Sequence, residues 1–147
     1  MAKKLFISSQ SPFVEIPVTS AKDAEGKETT ILVGFKRYSA KAAQQKLEEI
    51  KDLSEVEAEV TLKEEILYIK NAIITIYDEE TLEVSETITV KDTRTVKVIE
   101  PFWEDASGAL EVLTNMYLDS IPWKGSLITA YLKTLYNVDF KEAEIKN

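Results

Sequence analysis

Three clusters of charged side chains are the parts of this sequence whose residue types could do chemistry. The first places Glu100, Glu104 and Asp105 around Trp103. Two carboxylates beside an aromatic ring can form a sugar-cleaving site if they are held at a fixed separation. Acidic residues also suit the start of a helix, where they accept hydrogen bonds from free backbone N–H groups. Sequence spacing does not set the distance between two carboxylates, so we favour the helix start.

The other two clusters are more typical of solvated surface. One is an acidic run that could hold a hard cation, formed by Asp78, Glu79, Glu80 and Glu83. It lacks the glycine and the alternating oxygen ligands of an EF-hand loop, so a solvated turn is predicted. The other is basic and surrounds Tyr38, with Lys36, Arg37 and Lys41. In a chain this acidic, we interpret it as a solvated face and not as a nucleic-acid patch.

The chain contains no cysteine and no histidine. This excludes disulfides and zinc–thiolate sites, and it removes the commonest general base and metal ligand. Carboxylates or lysines could still catalyse a reaction, but no motif indicates one. We therefore expect no catalytic residue, no metal and no cofactor, while an enzyme or a small-molecule binder stays open as an alternative. The formal net charge of −8 repels phosphate, so nucleic acid is not expected as a ligand.

Aromatic and apolar side chains are concentrated near the C-terminus. Each of the two tryptophans lies one or two residues after a proline, at a predicted helix entry. Such residues can form a protein-binding patch. The candidate protein-binding residues are Phe102, Trp103, Trp123, Leu127, Tyr131 and Leu135. The alternative is that these side chains form the core, and for most of them this is the expected outcome.

The length of 147 residues fits a single domain, residues 1–147, with enough chain to bury a core. No apolar run approaches the roughly 20 residues of a membrane span, and the apolar run after Lys3 and Lys4 is too short for a signal peptide. A cytosolic protein without membrane contact is therefore expected.

Periodicity divides the chain into four regions. Residues 1–38 are predicted to form N-terminal strands, including a run at Leu5–Ile7 and an alternating strand over residues 30–38. Residues 39–70 are predicted to form two helices, capped by Ser39 and by a Ser54–Glu57 capping box. The second helix is placed at about residues 55–70, although the β-branched residues that follow could already be a strand.

The second half of the chain is predicted to form strands and then helices. Residues 72–99 alternate as strands with a turn near Lys91. Residues 105–147 are predicted to be helical, with one helix over about 106–120, Pro122 in the first turn of the next, and a break near Asn137. The fold class is α+β, a small antiparallel sheet with about four helices packed on one side and a helical C-terminal third.

Two segments resemble the tail assembly chaperones of long-tailed, siphovirus-type bacteriophages. Residues 31–53 contain LVGFKRYSAKAAQQKLEEI, an alternating strand that ends in basic residues before a helix. Residues 110–147 contain LTNMYLDSIPWKGSLITAYLKTLYNVDFKEAEIKN, with a proline–aromatic step between two helices. The resemblance covers about half of the chain. Residues 72–99 depart from it, because many relatives have a tryptophan-containing acidic turn with glycine there.

This resemblance implies a protein that is not an enzyme but a chaperone, which binds the long helical tape measure protein and keeps it soluble while the tail assembles. The tail tube protein is a second candidate partner, and a homo-oligomer is left open. The expected location is the cytoplasm of the infected host, and the protein is not expected in the mature virion. The alternative is a structural virion protein, such as a tail tube, terminator or connector subunit, that assembles into rings or tubes through residues 72–99.

Overall fold

The computed structural model describes residues 11–146, with the side chains of Ile121 and residues 137–146 excepted. The predicted strand at Leu5–Ile7 lies outside this range. The elements in chain order are β1 (Phe13–Lys22), β2 (Glu28–Lys36), α1 (Ala40–Lys51), α2 (Glu55–Glu65), β3 (Ile66–Tyr77), β4 (Val84–Asp92), a 3-10 turn (Thr93–Thr95), α3 (Ala106–Asp119) and α4 (Ile121–Lys146). In this part of the chain, no helix has the length and hydropathy that crossing a bilayer requires.

The four strands form one antiparallel sheet in the order β1–β2–β3–β4, which confirms the predicted α+β class. Alternation in β2 turns Ile31, Val33 and Phe35 toward the helices, as predicted from the sequence. All four helices contribute to the same core, through Ala43, Leu62, Ala109, Leu113, Leu118, Leu127, Ala130, Tyr131 and Leu135. The core therefore lies between one face of the sheet and the helical layer.

Three helix starts follow the predicted capping chemistry. The Ser39 side chain accepts a hydrogen bond from the backbone N–H of Ala42 at the start of α1. Ser54 and Glu57 form the complete capping box of α2. Asp105 Oδ1 accepts from the N–H of Gly108 at 2.8 Å, so this carboxylate caps α3. Local side-chain chemistry thus fixes where these helices begin.

The predicted end of the second helix near residue 70 is wrong. Helix α2 ends at Glu65, and β3 begins at the next residue without a loop. The error arises because β3 contains two irregularities, one where its register against β2 shifts after Ile66 and one at Asn71, whose φ is 61°. These irregularities place core-facing residues three apart, at positions 66, 69 and 72, which imitates the period of a helix.

Two further predictions need correction. Residues 81–99 form only one strand, β4, after which the buried Thr93 hydroxyl accepts from the N–H of Ile69 at 3.0 Å and the chain turns toward α3. Beyond this turn, Ile99 makes a single bridge to Trp103. The predicted break at Asn137 is absent, because α4 runs to Lys146.

The sheet face opposite the helices carries an ordered cluster around Tyr68. The Tyr68 ring is buried although it lies on this outer face, because it crosses Gly34 on the neighbouring strand. The Arg94 guanidinium lies 3.8 Å from the ring centroid. The Tyr68 hydroxyl donates to Glu15 at 2.8 Å, and Lys70 pairs with Glu15 at 2.9 Å. This cluster links β1, β2 and β3 from the solvent side.

Replacing Gly34 with alanine should therefore destabilise the protein. A Cβ at this position would overlap the Tyr68 ring. We expect Gly34→Ala to lower the free energy of unfolding by about 1–3 kcal/mol, measured by urea denaturation. Gly125→Ala is the matched control, because nothing lies near its Cβ and helix propensity favours alanine by about 1 kcal/mol. Equal effects of the two substitutions would contradict this packing.

The same cluster predicts an acid-dependent loss of stability. The hydrogen bond from Lys70 lowers the pKa of Glu15, and the Arg94 side chain lowers the pKa of Asp92. A lowered carboxyl pKa stabilises the fold above the unfolded value and loses this contribution as pH falls through the folded value. The urea concentration at the midpoint of unfolding should therefore decrease as the pH is lowered below about 4.5, and Glu15→Gln should make this decrease smaller. Glu86→Gln, on exposed β4, should leave it unchanged.

Candidate protein-binding site

The apolar row on α4 that was predicted to bind a partner faces the interior. Leu127, Tyr131 and Leu135 are buried in the core, and the Tyr131 ring lies 5.7 Å from that of Phe35 on β2. Their four-residue spacing puts them on one face of α4, and this face packs on the sheet and on α1. These three residues belong to the core and do not form a surface in this fold. This is the alternative that the sequence analysis left open for them.

Trp103 is also part of the core. Its indole is buried, and its Nε1–H donates to the backbone carbonyl of Lys97 at 3.0 Å. Its backbone bridges to Ile99, so the ring closes the turn that precedes α3. The tryptophan therefore fixes the approach to α3 and is not displayed to a partner.

Phe102 and Trp123 are the two predicted binding residues that reach the surface. Phe102 is 43% exposed beside the buried Trp103. Trp123 is half-buried and packs against Tyr117 with 4.8 Å between ring centroids. The next residue, Lys124, pairs with Glu55 and Glu59 on α2, which holds the start of α4 in place. The six predicted residues thus do not form one patch.

The charged clusters of the sequence have structural partners. Asp78 Oδ1 accepts from the N–H groups of Glu80 and Thr81, at 2.8 and 3.0 Å, so it closes the β3–β4 turn. The Arg37 Nε–H donates to the carbonyl of Ser11 at 2.7 Å. Among the described residues, no group of three or more acidic side chains is arranged to hold a metal ion.

A polar cluster inside the fold was not predicted. Glu65, at the junction of α2 and β3, is buried, and both of its carboxylate oxygens lie 2.6 Å from the Tyr38 hydroxyl. The Lys46 ammonium on α1 approaches the same carboxylate at 3.6 Å. The hydroxyl of Tyr131 is buried and has no hydrogen-bond partner within residues 11–146. No sequence signal distinguishes Glu65 from the exposed glutamates around it on α2.

This buried cluster does not supply an acid or base near neutral pH from its tyrosines. Burial, followed by the hydrogen bond to Glu65, raises the pKa of Tyr38 well above its ordinary value. Burial is the largest cause of the raised pKa of Tyr131, followed by the nearby charge of Glu65. Both phenols therefore remain protonated, and the cluster holds β2, α1 and the α2–β3 junction together.

A groove open to solvent lies between α1 and α4. It has a volume of about 550 Å³ and is lined by Lys41, Gln44, Gln45, Leu47, Glu48, Lys51 and Tyr136. Leu47 is half-buried at its base, and Tyr136 is 45% exposed at its edge. Its rim carries both amide and charged groups, including a Lys51–Glu48 pair at 3.0 Å. Such a surface can accept an apolar side chain and hydrogen-bond around it.

Two other grooves lie in the described part of the chain. One lies between β1 and α4, with a volume of about 510 Å³ and with Pro17, Val18 and Thr129 among its lining residues. The other, between α2 and α3, is smaller, at about 200 Å³. In comparisons with known proteins, no family model, no curated protein and no solved structure matches this chain.

The buried cluster predicts opposite effects for two similar substitutions. Tyr38→Phe removes the phenol that donates to Glu65, so the free energy of unfolding should fall by about 1–3 kcal/mol. Tyr131→Phe removes a buried hydroxyl without a partner, so stability should stay the same or rise. Thermal and urea denaturation of both variants would measure this difference. A larger loss for Tyr131→Phe than for Tyr38→Phe would contradict the assignment.

Proposed function

We propose that the protein is a phage tail assembly chaperone that binds the tape measure protein through the α1–α4 groove and keeps it soluble. This proposal rests on where the fold places the two segments that resemble tail assembly chaperones. Residues 31–53 include all of α1, and residues 110–147 include all of α4. Every residue that lines the groove belongs to one of these two segments. Two stretches that are far apart in sequence thus meet at one surface.

The chemistry of the groove fits a helical client. The lining residues of α1 recur along its exposed face at positions 41, 44, 45, 48 and 51, so the groove follows this helix over its length. A client helix could place apolar side chains against Leu47 and Tyr136 while the glutamines bond its polar groups. The net charge of −8 helps to keep such a complex in solution.

A structural virion protein is the second candidate, and one observation favours it. Strand β4 lies at one edge of the sheet, and no further strand lies beside it in the described part of the chain. Edge strands of this kind can pair between subunits in a ring or tube. The proposed chaperone acts in the host cytoplasm and leaves before the virion matures. Mass spectrometry of purified virions therefore separates the two functions, because only the structural protein remains at many copies.

The groove can be tested by co-expression with the long, helix-rich protein encoded downstream of this gene. The wild type should keep that protein soluble and co-purify with it. Tyr136→Ala should weaken the complex by about tenfold, because it removes exposed aromatic area at the groove.

Met116→Ala is the matched control on α3, since Met116 is 48% exposed and lies away from the groove. It should leave binding unchanged. Equal binding by wild type and Tyr136→Ala would exclude the groove. A client that stays insoluble with the wild type would contradict the chaperone function itself.

A further inference from the structure

The hairpin formed by β3 and β4 exposes large apolar side chains at its end. Tyr77 and Val84 are partners in the register of the two strands, and more than half of each side chain is exposed. Partners across an antiparallel pair share one face of the sheet, so these two side chains lie together. Leu82, in the turn itself, is 77% exposed. These three residues are called the apolar tip below.

Neither the backbone nor the core accounts for a leucine at position 82. Its φ is 62°, in the left-handed region that glycine and asparagine adopt more readily than leucine does. The turn is closed by the main chain, because the N–H of Leu82 donates to the carbonyl of Asp78 at 2.9 Å. The leucine side chain is therefore not needed for the turn and adds little to the core, and only a contact outside the chain would bury it.

The charges around the apolar tip are all of one sign. Residues 71–90 contain no lysine or arginine and five acidic side chains, namely Asp78, Glu79, Glu80, Glu83 and Glu86. The Asp78 carboxylate is used within the turn, where it accepts from backbone N–H groups. The ion pairs of the described residues involve none of the four glutamates, which are exposed.

The turn between β1 and β2 shows that this pattern is not a general property of the turns in this chain. Residues 22–28 also include three acidic side chains, but Lys22 and Lys27 lie among them. This turn contains no large apolar side chain. Unpaired acidic charge and exposed apolar area therefore occur together at the β3–β4 turn and not at the β1–β2 turn.

The charges determine which kind of partner fits the apolar tip. Acidic side chains repel the phosphates of nucleic acids and of anionic lipids, and they equally repel the same tip on a second copy. In the described part of the chain, no group of three or more acidic side chains is arranged to hold a metal ion. A protein segment with lysine or arginine on both sides of a large apolar side chain complements the charge and covers the apolar area.

We propose that the β3–β4 turn is a docking site for a basic segment of a partner protein. The segment places a large apolar side chain against Tyr77, Leu82 and Val84, and its lysines or arginines lie beside the unpaired glutamates. This site shares no residue with the α1–α4 groove. The inference goes beyond the client-binding function and does not depend on it, so either proposal can fail while the other stands.

A labelled peptide of defined sequence tests the chemistry of this site. In the probe peptide, two leucines are flanked on both sides by lysines. One control peptide replaces the leucines by serine, and the other replaces the lysines by glutamate. In fluorescence anisotropy, the wild type should bind the probe peptide at least about tenfold more tightly than either control, and added salt should weaken binding. Equal binding of the probe peptide and the serine control would overturn the proposal.

Leu82→Asn separates docking from folding, because asparagine tolerates the left-handed backbone of this turn. The urea midpoint of the variant should stay the same or rise, whereas the dissociation constant of the probe peptide should rise at least about fivefold. Val56→Asn is the matched control, because Val56 is 71% exposed on α2, and it should leave peptide binding unchanged. Equal weakening by the two substitutions would contradict docking at the apolar tip.

Neutralising the glutamates tests the electrostatic part. Glu79→Gln combined with Glu80→Gln should weaken binding of the probe peptide at least about fivefold. Glu25→Gln combined with Glu64→Gln changes the net charge equally, at exposed positions of the β1–β2 turn and of α2, and should have little effect. Equal effects of the two pairs would mean that the peptide responds only to total charge, which would refute the site. A wild-type dimer that Leu82→Asn converts to a monomer would identify a second copy as the occupant and would also refute it.

Discussion

The burial of one carboxylate, that of Glu65, is the constraint on which the arrangement of this fold depends. Glu65 is the last residue of α2, and the next residue already belongs to β3, so no loop can absorb an error in its position. Its charge is buried, and removing such a charge from water is costly unless it is paired. Tyr38, between β2 and α1, and Lys46, on α1, supply the partners. Satisfying this single group therefore fixes three chain segments relative to one another.

The position of α1 has a direct consequence for the surface. Tyr38, in the β2–α1 connection, and Lys46, within α1, both contact Glu65, while most of the α1 residues that line the groove are exposed beside α4. Tyr131 of α4 packs on Phe35 of β2, which holds α4 against the sheet. The α1–α4 groove is thus a result of core packing, and its lining residues need only be compatible with water. This separation allows a binding surface to change without loss of the fold.

The sequence predicted elements well where the signal was local and poorly where it depended on tertiary contacts. Ser54 marked one helix start and Asp105 or Ser107 another, of which Asp105 is the cap; such side-chain hydrogen bonds to nearby N–H groups require no distant partner. The α2–β3 boundary was missed because the register shift after Ile66 and the left-handed backbone of Asn71 give core-facing strand residues a helical period. For the site, periodicity could identify the apolar face of α4 but could not decide whether Tyr131 meets a partner or the sheet. The groove was not predicted because its two walls come from segments far apart in sequence.

The proposed position of a client helix in the groove between α1 and α4 is tested most directly by site-specific photo-cross-linking. A photoreactive amino acid would replace Gln45, an exposed residue of the groove, in cells that also express the tape measure candidate. Val60, on the exposed face of α2 and away from the groove, would be replaced in the same way as a control. The account predicts a covalent product with the client from position 45 and none from position 60. Cross-linking from position 60 alone would contradict it.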